Sequence, residues 1–111
     1  MKKKTIDHTQ LLLLTLLSGG DMYGYQMITE LSRRSDRTFE MKEGTLYPVL
    51  HALEREGYVK AYEQEAPSGR KRKYYHLTRK GQGLLKTETE AWERYADGIN
   101  TVLRSAQPNR A

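Results

Sequence analysis

The sequence predicts a mainly α-helical protein that also contains a small β-hairpin. Three patterns support this fold class: apolar residues at helical spacing in the first half of the chain, two tyrosine-rich stretches on either side of a turn, and a long final helix with a heptad seam. With 111 residues and 37% hydrophobic composition, the chain is one small domain that would gain stability from a partner subunit. It has no cysteine, which excludes disulfides and thiolate metal sites and fits a reducing cytoplasm.

The N-terminus resembles a secretory signal only superficially. Lys2–Lys4 precede the apolar run Leu11–Leu17, but polar residues separate the two and no small-residue cleavage site follows. No stretch approaches the roughly 18 consecutive apolar residues of a transmembrane helix. We therefore expect an intracellular protein without a membrane partner. Lys2–Lys4 themselves are either a solubilising tail or a contact to phosphate, and the tail is the simpler interpretation.

Two helices are predicted in the first third of the chain. The first spans residues 5–18 and is apolar on nearly every side, so we expect it to be central and buried. A Gly-Gly-Asp turn ends it. The second helix begins at Tyr23 or Gly24 and ends at Arg34, with one apolar face toward the core and charged residues toward water.

A third helix is predicted from Glu43 to Glu56, followed by Gly57 at the position after its C-cap. Pro48 lies inside this span, so the helix either begins late, near Thr45, or bends locally. Its apolar stripe follows the i, i+3, i+4, i+7 rule and consists of Leu46, Val49, Leu50 and Leu53. The opposite face is small, polar and uncrowded, and it carries Gly44, Pro48, His51 and Arg55.

A β-hairpin follows the third helix. The stretches 58–65 and 72–77 are rich in tyrosine and valine, which favour strands, and Ala66–Gly69 supplies the turn. The basic run Arg70–Lys73 therefore lies at the tip and on the returning strand. Helices followed by a basic-tipped hairpin are the order of a winged helix-turn-helix, which we assign to residues 1–80.

A long last helix begins after Thr78, a good N-cap residue, and continues to about Arg104, which gives it a length of roughly 40 Å. Residues recur along it at alternating spacings of three and four, the heptad seam of a coiled coil, with Glu88 as one polar interruption that would fix the register. We assign residues 81–105 to a coiled-coil-like dimerisation helix and residues 106–111 to a disordered tail. The expected dimer contacts are Leu85, Trp92, Tyr95, Ile99 and Val102.

The net charge of the chain is concentrated in one segment. Ala66–Lys80 holds six basic side chains and no acid, whereas the remaining 96 residues carry 13 basic and 14 acidic groups. The net charge of +5 therefore arises from the hairpin and the start of the last helix. Such a local positive field is expected where a polyanion binds, and nucleic acid is the obvious candidate.

Four motifs together give the chain a family resemblance: YGYQ at Tyr23–Gln26, EGTLYPVLHALEREGYV at Glu43–Val59, SGRKRKYYHLTRKG at Ser68–Gly81, and a tryptophan fourteen residues after Thr78. Each motif is weak alone, but their order and spacing resemble the PadR family of bacterial transcriptional regulators from about His8 to Leu103. The short C-terminus resembles the branch with a single dimerisation helix. This resemblance implies a homodimer that binds a pseudo-palindromic operator in double-stranded DNA, usually as a repressor. Release by a small planar or phenolic effector is left open.

By position, the resemblance assigns Lys42, Thr45 and Tyr47 to the recognition helix or the residue before it, and Arg70, Lys71, Arg72 and Lys73 to the wing. Wing cations would pair with phosphates and give affinity without sequence information. Helix residues would contact base edges in the major groove, unless Tyr47 covers the apolar edge of its own helix. No arginine, asparagine or glutamine projects from the helix start, so we expect modest direct readout and a larger share from DNA shape.

Trp92 has two interpretations. One branch of the family is known for planar compounds that stack between paired tryptophans at the dimer centre, and Trp92 stands at the matching position. Lys4, Asp7 and Ala96 depart from the residues expected around that site. An aromatic residue in a heptad seam is more often core than ligand platform, so dimer packing is the default and effector binding by Trp92 is the alternative.

Other classes of function have less support. His8, His51 and His76 are far apart in the sequence, and HExxH, GxSxG, P-loop and dinucleotide motifs are absent, so we expect no enzyme, metal site or cofactor. A winged helix dimer could instead be a protein-interaction module that does not bind DNA. Modules of that kind typically lose the wing charge, which this chain concentrates in its hairpin.

Overall fold

Four helices and three strands make up the fold, which is described for residues 8–106 by a computed structural model. The predicted fold class, a mainly α winged helix with a small sheet, is confirmed. Lys2–Lys4, Asp7, the predicted helix start at residue 5 and most of the C-terminal tail lie outside the described residues. The elements are α1 (Thr9–Ser18), β1 (Met22–Tyr23), α2 (Gly24–Arg34), α3 (Glu43–Arg55), β2 (Val59–Glu65), β3 (Lys71–Leu77) and α4 (Arg79–Ser105).

The core forms around α1, as its apolar composition predicts. Leu13 and Leu14 are fully buried, and Leu16 and Leu17 are nearly so. Because apolar residues surround this helix, the other elements can pack on several of its sides. The side chains that complete the buried cluster are Met22, Met27, Leu31, Leu46, Leu50, Leu53, Val59, Tyr75 and Leu77.

The sheet has three antiparallel strands in the order β1-β3-β2, one strand more than the sequence predicts. The predicted hairpin is present as β2 and β3, joined by a five-residue turn in which the Ala66 amide donates to the Arg70 carbonyl at 2.7 Å. Gly69 has φ +92° in this turn, a conformation that favours glycine. The additional strand β1 pairs Met22 with Tyr75 and Tyr23 with Tyr74. The chain before α2 is thereby joined to the hairpin.

Helix α3 begins at Glu43 and contains Pro48, so the alternative of a late start near Thr45 is wrong. Proline has no amide hydrogen, which deprives the Gly44 carbonyl of its helical partner. Both residues are exposed, and water can satisfy that carbonyl. The helix ends at Arg55 with Glu56 as C-cap, and Gly57 follows with φ +85°, the position predicted for it.

Helix α4 is the longest element, with 27 residues. The Thr78 hydroxyl accepts a hydrogen bond from the Gly81 amide at 3.0 Å, which confirms Thr78 as the N-cap. Leu84 and Leu85 pack on the core, whereas nearly every residue from Trp92 onward is exposed. The projecting helix explains the elongated dimensions of 66 × 30 × 28 Å. No helix within residues 8–106 has the length and apolarity needed to cross a bilayer.

Candidate nucleic-acid interface

The outer face of α3 is exposed to solvent. Thr45, Pro48 and His51 are exposed along it, and a methyl group added at Gly44 would meet no atom within 4 Å. Lys42 is exposed at the N-cap position and therefore lies at one end of this face. We call these five residues the α3 face. Gly44, Thr45 and Pro48 are small, so another molecule can approach the helix backbone closely at these three residues.

Tyr47 lies at the edge of the α3 face and is half-buried. Its ring and hydroxyl pack against Gly24 at the start of α2, so closely that a β-carbon at residue 24 would overlap them. The ring centroid is 6.1 Å from that of His51. These contacts favour the interpretation that Tyr47 covers the edge of its helix and sets the spacing between α2 and α3.

Strand alternation separates the wing cations that are adjacent in the sequence. Lys71 and Lys73 lie on the face of β3 that also carries the buried Tyr75. Arg72 lies on the opposite face, where its guanidinium carbon is 4.4 Å from the centroid of the Tyr23 ring. The three cations on β3 are therefore divided between its two faces. The period of two along residues 71–77 is the sequence signal that could have revealed this division.

The basic segment Ala66–Lys80 contains no acid in its sequence. In the folded protein, acidic side chains from other segments lie beside it. The register of β2 and β3 pairs Glu63 with Lys73 and Glu65 with Lys71. Lys73 is also 4.0 Å from the Glu54 carboxylate of α3, measured from Nζ to Oε1. This neutralisation reduces the positive field of the hairpin below what its sequence indicates.

Among the four wing cations, Arg70 and Lys71 are the more accessible pair. Both are exposed, and neither forms an ion pair within 4.0 Å with an acid among residues 8–106. Arg72 is held on a tyrosine ring and Lys73 lies near Glu54. Arg70 and Lys71 at the tip of the hairpin are thus accessible, whereas the side chains of Arg72 and Lys73 already have partners within the domain.

A carboxylate that the sequence analysis did not single out fastens the hairpin to the body of the domain. Asp21, just before β1, accepts a hydrogen bond from the Tyr62 hydroxyl at 2.6 Å and lies 2.8 Å from His76 Nδ1. The Tyr62 hydrogen bond is the largest cause of a pKa for Asp21 below its ordinary value, with His76 contributing less. No local motif marks this cluster, because its members come from three segments that meet only in the sheet.

The distal part of α4 presents an apolar stripe to solvent. Its side chains are between 40% and 66% exposed, which is unusual for large apolar groups at regular helical spacing. We call this the α4 stripe; it consists of Trp92, Tyr95, Ile99, Val102 and Leu103.

The residues at the N-terminal end of the predicted seam are less exposed than those of the α4 stripe. Leu85 packs against the core of its own protomer, and Glu88 accepts a hydrogen bond from Gln10 Nε2 at 2.9 Å. Both residues are half-buried by α1 and the core rather than exposed. The exposed part of the predicted seam therefore begins at Trp92.

Trp92 borders a groove between α1 and α4. Its ring meets His8 edge to face with centroids 4.8 Å apart, and the groove beside it has a volume of about 430 Å³. One wall includes Glu88 and Tyr95. The position is compatible with either interpretation of Trp92, because the ring is 40% exposed at the junction of the groove and the α4 stripe.

The three histidines lie on separate parts of the domain. His8 precedes α1, His51 lies on α3, and His76 lies on β3. Within residues 8–106, no three histidine, cysteine or acidic side chains come together in a way that could hold a metal ion.

Comparison with known proteins identifies the same architecture elsewhere. The sequence model of the transcriptional regulator PadR-like family matches residues 13–87. The transcriptional regulator Rv3488 of Mycobacterium tuberculosis is 36% identical over 76 residues, which cover 68% of this chain and 67% of that protein.

Solved structures agree with this match. A transcriptional regulator from Clostridium thermocellum superposes with a TM-score of 0.77 at 34% identity, over 85% of this chain and 91% of that one. A PadR family transcription regulator from Clostridium difficile gives a TM-score of 0.76 at 29% identity, over 87% and 99% of the two chains. The similarity extends over both the hairpin-bearing domain and much of α4.

Proposed function

We propose, on the premise that this chain belongs to the PadR-like family of transcriptional regulators, that it binds a pseudo-palindromic operator in double-stranded DNA as a homodimer and represses transcription there. The observation that carries the proposal is the combination of an exposed helix face with a hairpin tip whose two cations form no ion pair within residues 8–106. Proteins of the winged helix-turn-helix class use these two surfaces on one duplex.

The α3 face would enter the major groove, which is about 12 Å wide and admits a helix. Thr45 can exchange hydrogen bonds with base edges, and Lys42 can reach a guanine or a phosphate. Tyr47 would contribute from the margin, since its ring already packs on Gly24. With so few long hydrogen-bonding side chains on this face, much of the sequence preference would come from the shape and deformability of the duplex.

The hairpin would supply affinity rather than sequence preference. Arg70 and Lys71 would pair with phosphates and release condensed counterions. Arg72 and Lys73 would support them from the two faces of β3, at the cost of weaker contacts with Tyr23 and Glu54.

Dimerisation would occur through the α4 stripe. The stripe would pack against the same stripe of a second copy, because regular heptad spacing favours packing between like helices. Two copies related by a twofold axis would present two α3 faces to half-sites roughly 34 to 36 Å apart, or a multiple of that distance.

The decisive test is the salt dependence of binding. Fluorescence anisotropy with a labelled duplex of arbitrary sequence should show a steep loss of affinity between about 50 and 200 mM salt, because each phosphate contact releases counterions. A duplex selected by the protein from a random library should then give a footprint with twofold symmetry. Flat affinity across the salt range would favour the alternative, a protein-interaction module without DNA binding.

A further inference from the structure

The first turn of α4 is bonded to the end of α3. The ammonium group of Lys80 donates a hydrogen bond to the Glu56 carbonyl oxygen at 2.6 Å, and Glu56 is the C-cap of α3. The last carbonyls of a helix lack intrahelical partners, so a side-chain donor can satisfy one of them. They also carry partial negative charge, which attracts a cation. The same ammonium lies 4.8 Å from the centroid of the Tyr58 ring, within the range of a cation–π contact.

Backbone contacts hold the same two segments together. The Thr78 amide donates to the Tyr58 carbonyl at 3.1 Å, and the Thr78 hydroxyl lies 2.7 Å from the carbonyl oxygen of Gly57. Gly81 is buried against this chain segment, and a methyl group there would overlap the Tyr58 carbonyl and the side chain of Leu77. The junction, which we define as residues 56–58 with residues 78–81, is therefore closely packed.

We propose that Lys80 is a positioning residue, which ties the orientation of α3 to that of α4 and so lets the packing of α4 set the geometry of the α3 face. This inference rests on the function proposed above. Helix α3 bears the side chains that would contact DNA, and α4 bears the stripe that a second copy would cover. The junction lies between them, so a change in the direction of α4 acts on the end of α3.

Lys80 is the member of the junction that can be tested without altering the backbone. Its hold on α3 comes from one side-chain ammonium, whereas Thr78 and Gly81 act largely through main-chain geometry. Lys80→Met keeps an apolar side chain of similar length to the lysine stem and removes the charge and the donor. Lys86→Met is the matched control, because Lys86 is an exposed lysine of the same helix and lies outside the junction. Lys80→Arg restores a cationic donor.

The experiment measures two properties of the full chain. The first is affinity for the duplex that the wild-type protein selects from a random library, and the second is hydrogen exchange of the amides in residues 53–58. We expect Lys80→Met to bind that duplex about tenfold more weakly than Lys86→Met, with an unchanged dimer mass and faster exchange confined to residues 53–58. Lys80→Arg should return both properties toward wild type.

The controls separate this inference from the proposed function. If the wild-type protein selects no duplex, the proposed function fails, and exchange alone still decides whether Lys80 holds α3. The inference is overturned if Lys80→Met matches Lys86→Met in either measurement. It is also overturned if exchange rises equally in α1, because that result indicates a general loss of stability and not a local positioning role.

Discussion

The side chain of Tyr47 lies directly against the backbone of Gly24, at the point where the first turn of α2 meets α3. The ring occupies the space that any larger residue at position 24 would need. Residue 24 is buried and does not have a positive φ. The reason for glycine at this position is therefore the close approach of Tyr47 and not the backbone conformation. The contact fixes how near α2 and α3 can lie, and with it the position of the α3 face.

Replacement of Gly24 by alanine should therefore destabilise the domain. The added methyl group must displace the Tyr47 ring, and overpacking of this kind typically costs about 1 to 3 kcal/mol in the free energy of unfolding. Urea denaturation followed by circular dichroism measures the change. Gly83→Ala is the matched control, because a methyl group at that helical position meets no atom within 4 Å and should raise stability by up to about 1 kcal/mol. Equal effects of the two changes would refute the close approach.

The two accessible cations at the hairpin tip should account for part of the salt dependence of DNA binding. Arg70→Ala with Lys71→Ala removes two proposed phosphate contacts, which should weaken binding to every duplex and reduce the slope of log K against log salt by about 1.8. Anisotropy titrations at several salt concentrations give the slope. Lys60→Ala with Lys86→Ala makes the same change in net charge at exposed sites away from the tip, and should leave the slope nearly unaltered. The same change in slope for both double variants would mean that the slope depends on the net charge of the protein and not on the position of the cations.

The sequence predicts those parts of the fold that depend on local patterns. The apolar stripe of α3 has the helical period, and the hydroxyl of Thr78 bonds to an amide only three residues away. Such features require no knowledge of distant segments, because a helix and its cap form from neighbours in the chain. The same reasoning places the turn at Gly69, whose positive φ is a property of that residue and its neighbours.

Features that depend on distant pairing were missed. Strand β1 has two residues and no periodicity, and it exists because Met22 and Tyr23 pair with β3. The acids beside the wing, Glu63 and Glu65, become its neighbours only through the register of β2 and β3. Electrostatic interactions depend on the distance between charges in space and not on their separation in the sequence. Counting charges along the chain therefore overestimated the net positive charge around the wing cations.

The hydrogen bond from Tyr62 to Asp21 should contribute to the acid sensitivity of the domain. Because the folded state holds the pKa of Asp21 below its ordinary value of 3.8, the associated stability is present above that value and is lost as the pH falls through the lowered pKa. Tyr62→Phe should raise the pKa of Asp21 toward 3.8 and make this loss smaller. Carboxyl chemical shifts in an NMR titration report the pKa. Tyr25→Phe, which alters a tyrosine that is 63% exposed, should leave the titration of Asp21 unchanged.

Dimerisation through the α4 stripe predicts that a charge at its centre will separate the subunits without unfolding them. Ile99 is 42% exposed in the protomer, so Ile99→Glu leaves the core intact, whereas burial of an unpaired carboxylate between two copies would cost several kcal/mol. Sedimentation velocity should show a mass near 12.9 kDa for this variant and twice that for the wild type. Asn100→Glu adds the same charge at the next, exposed residue, about 100° around the helix, and should preserve the dimer. An intact dimer in Ile99→Glu would mean that the subunits associate through another surface.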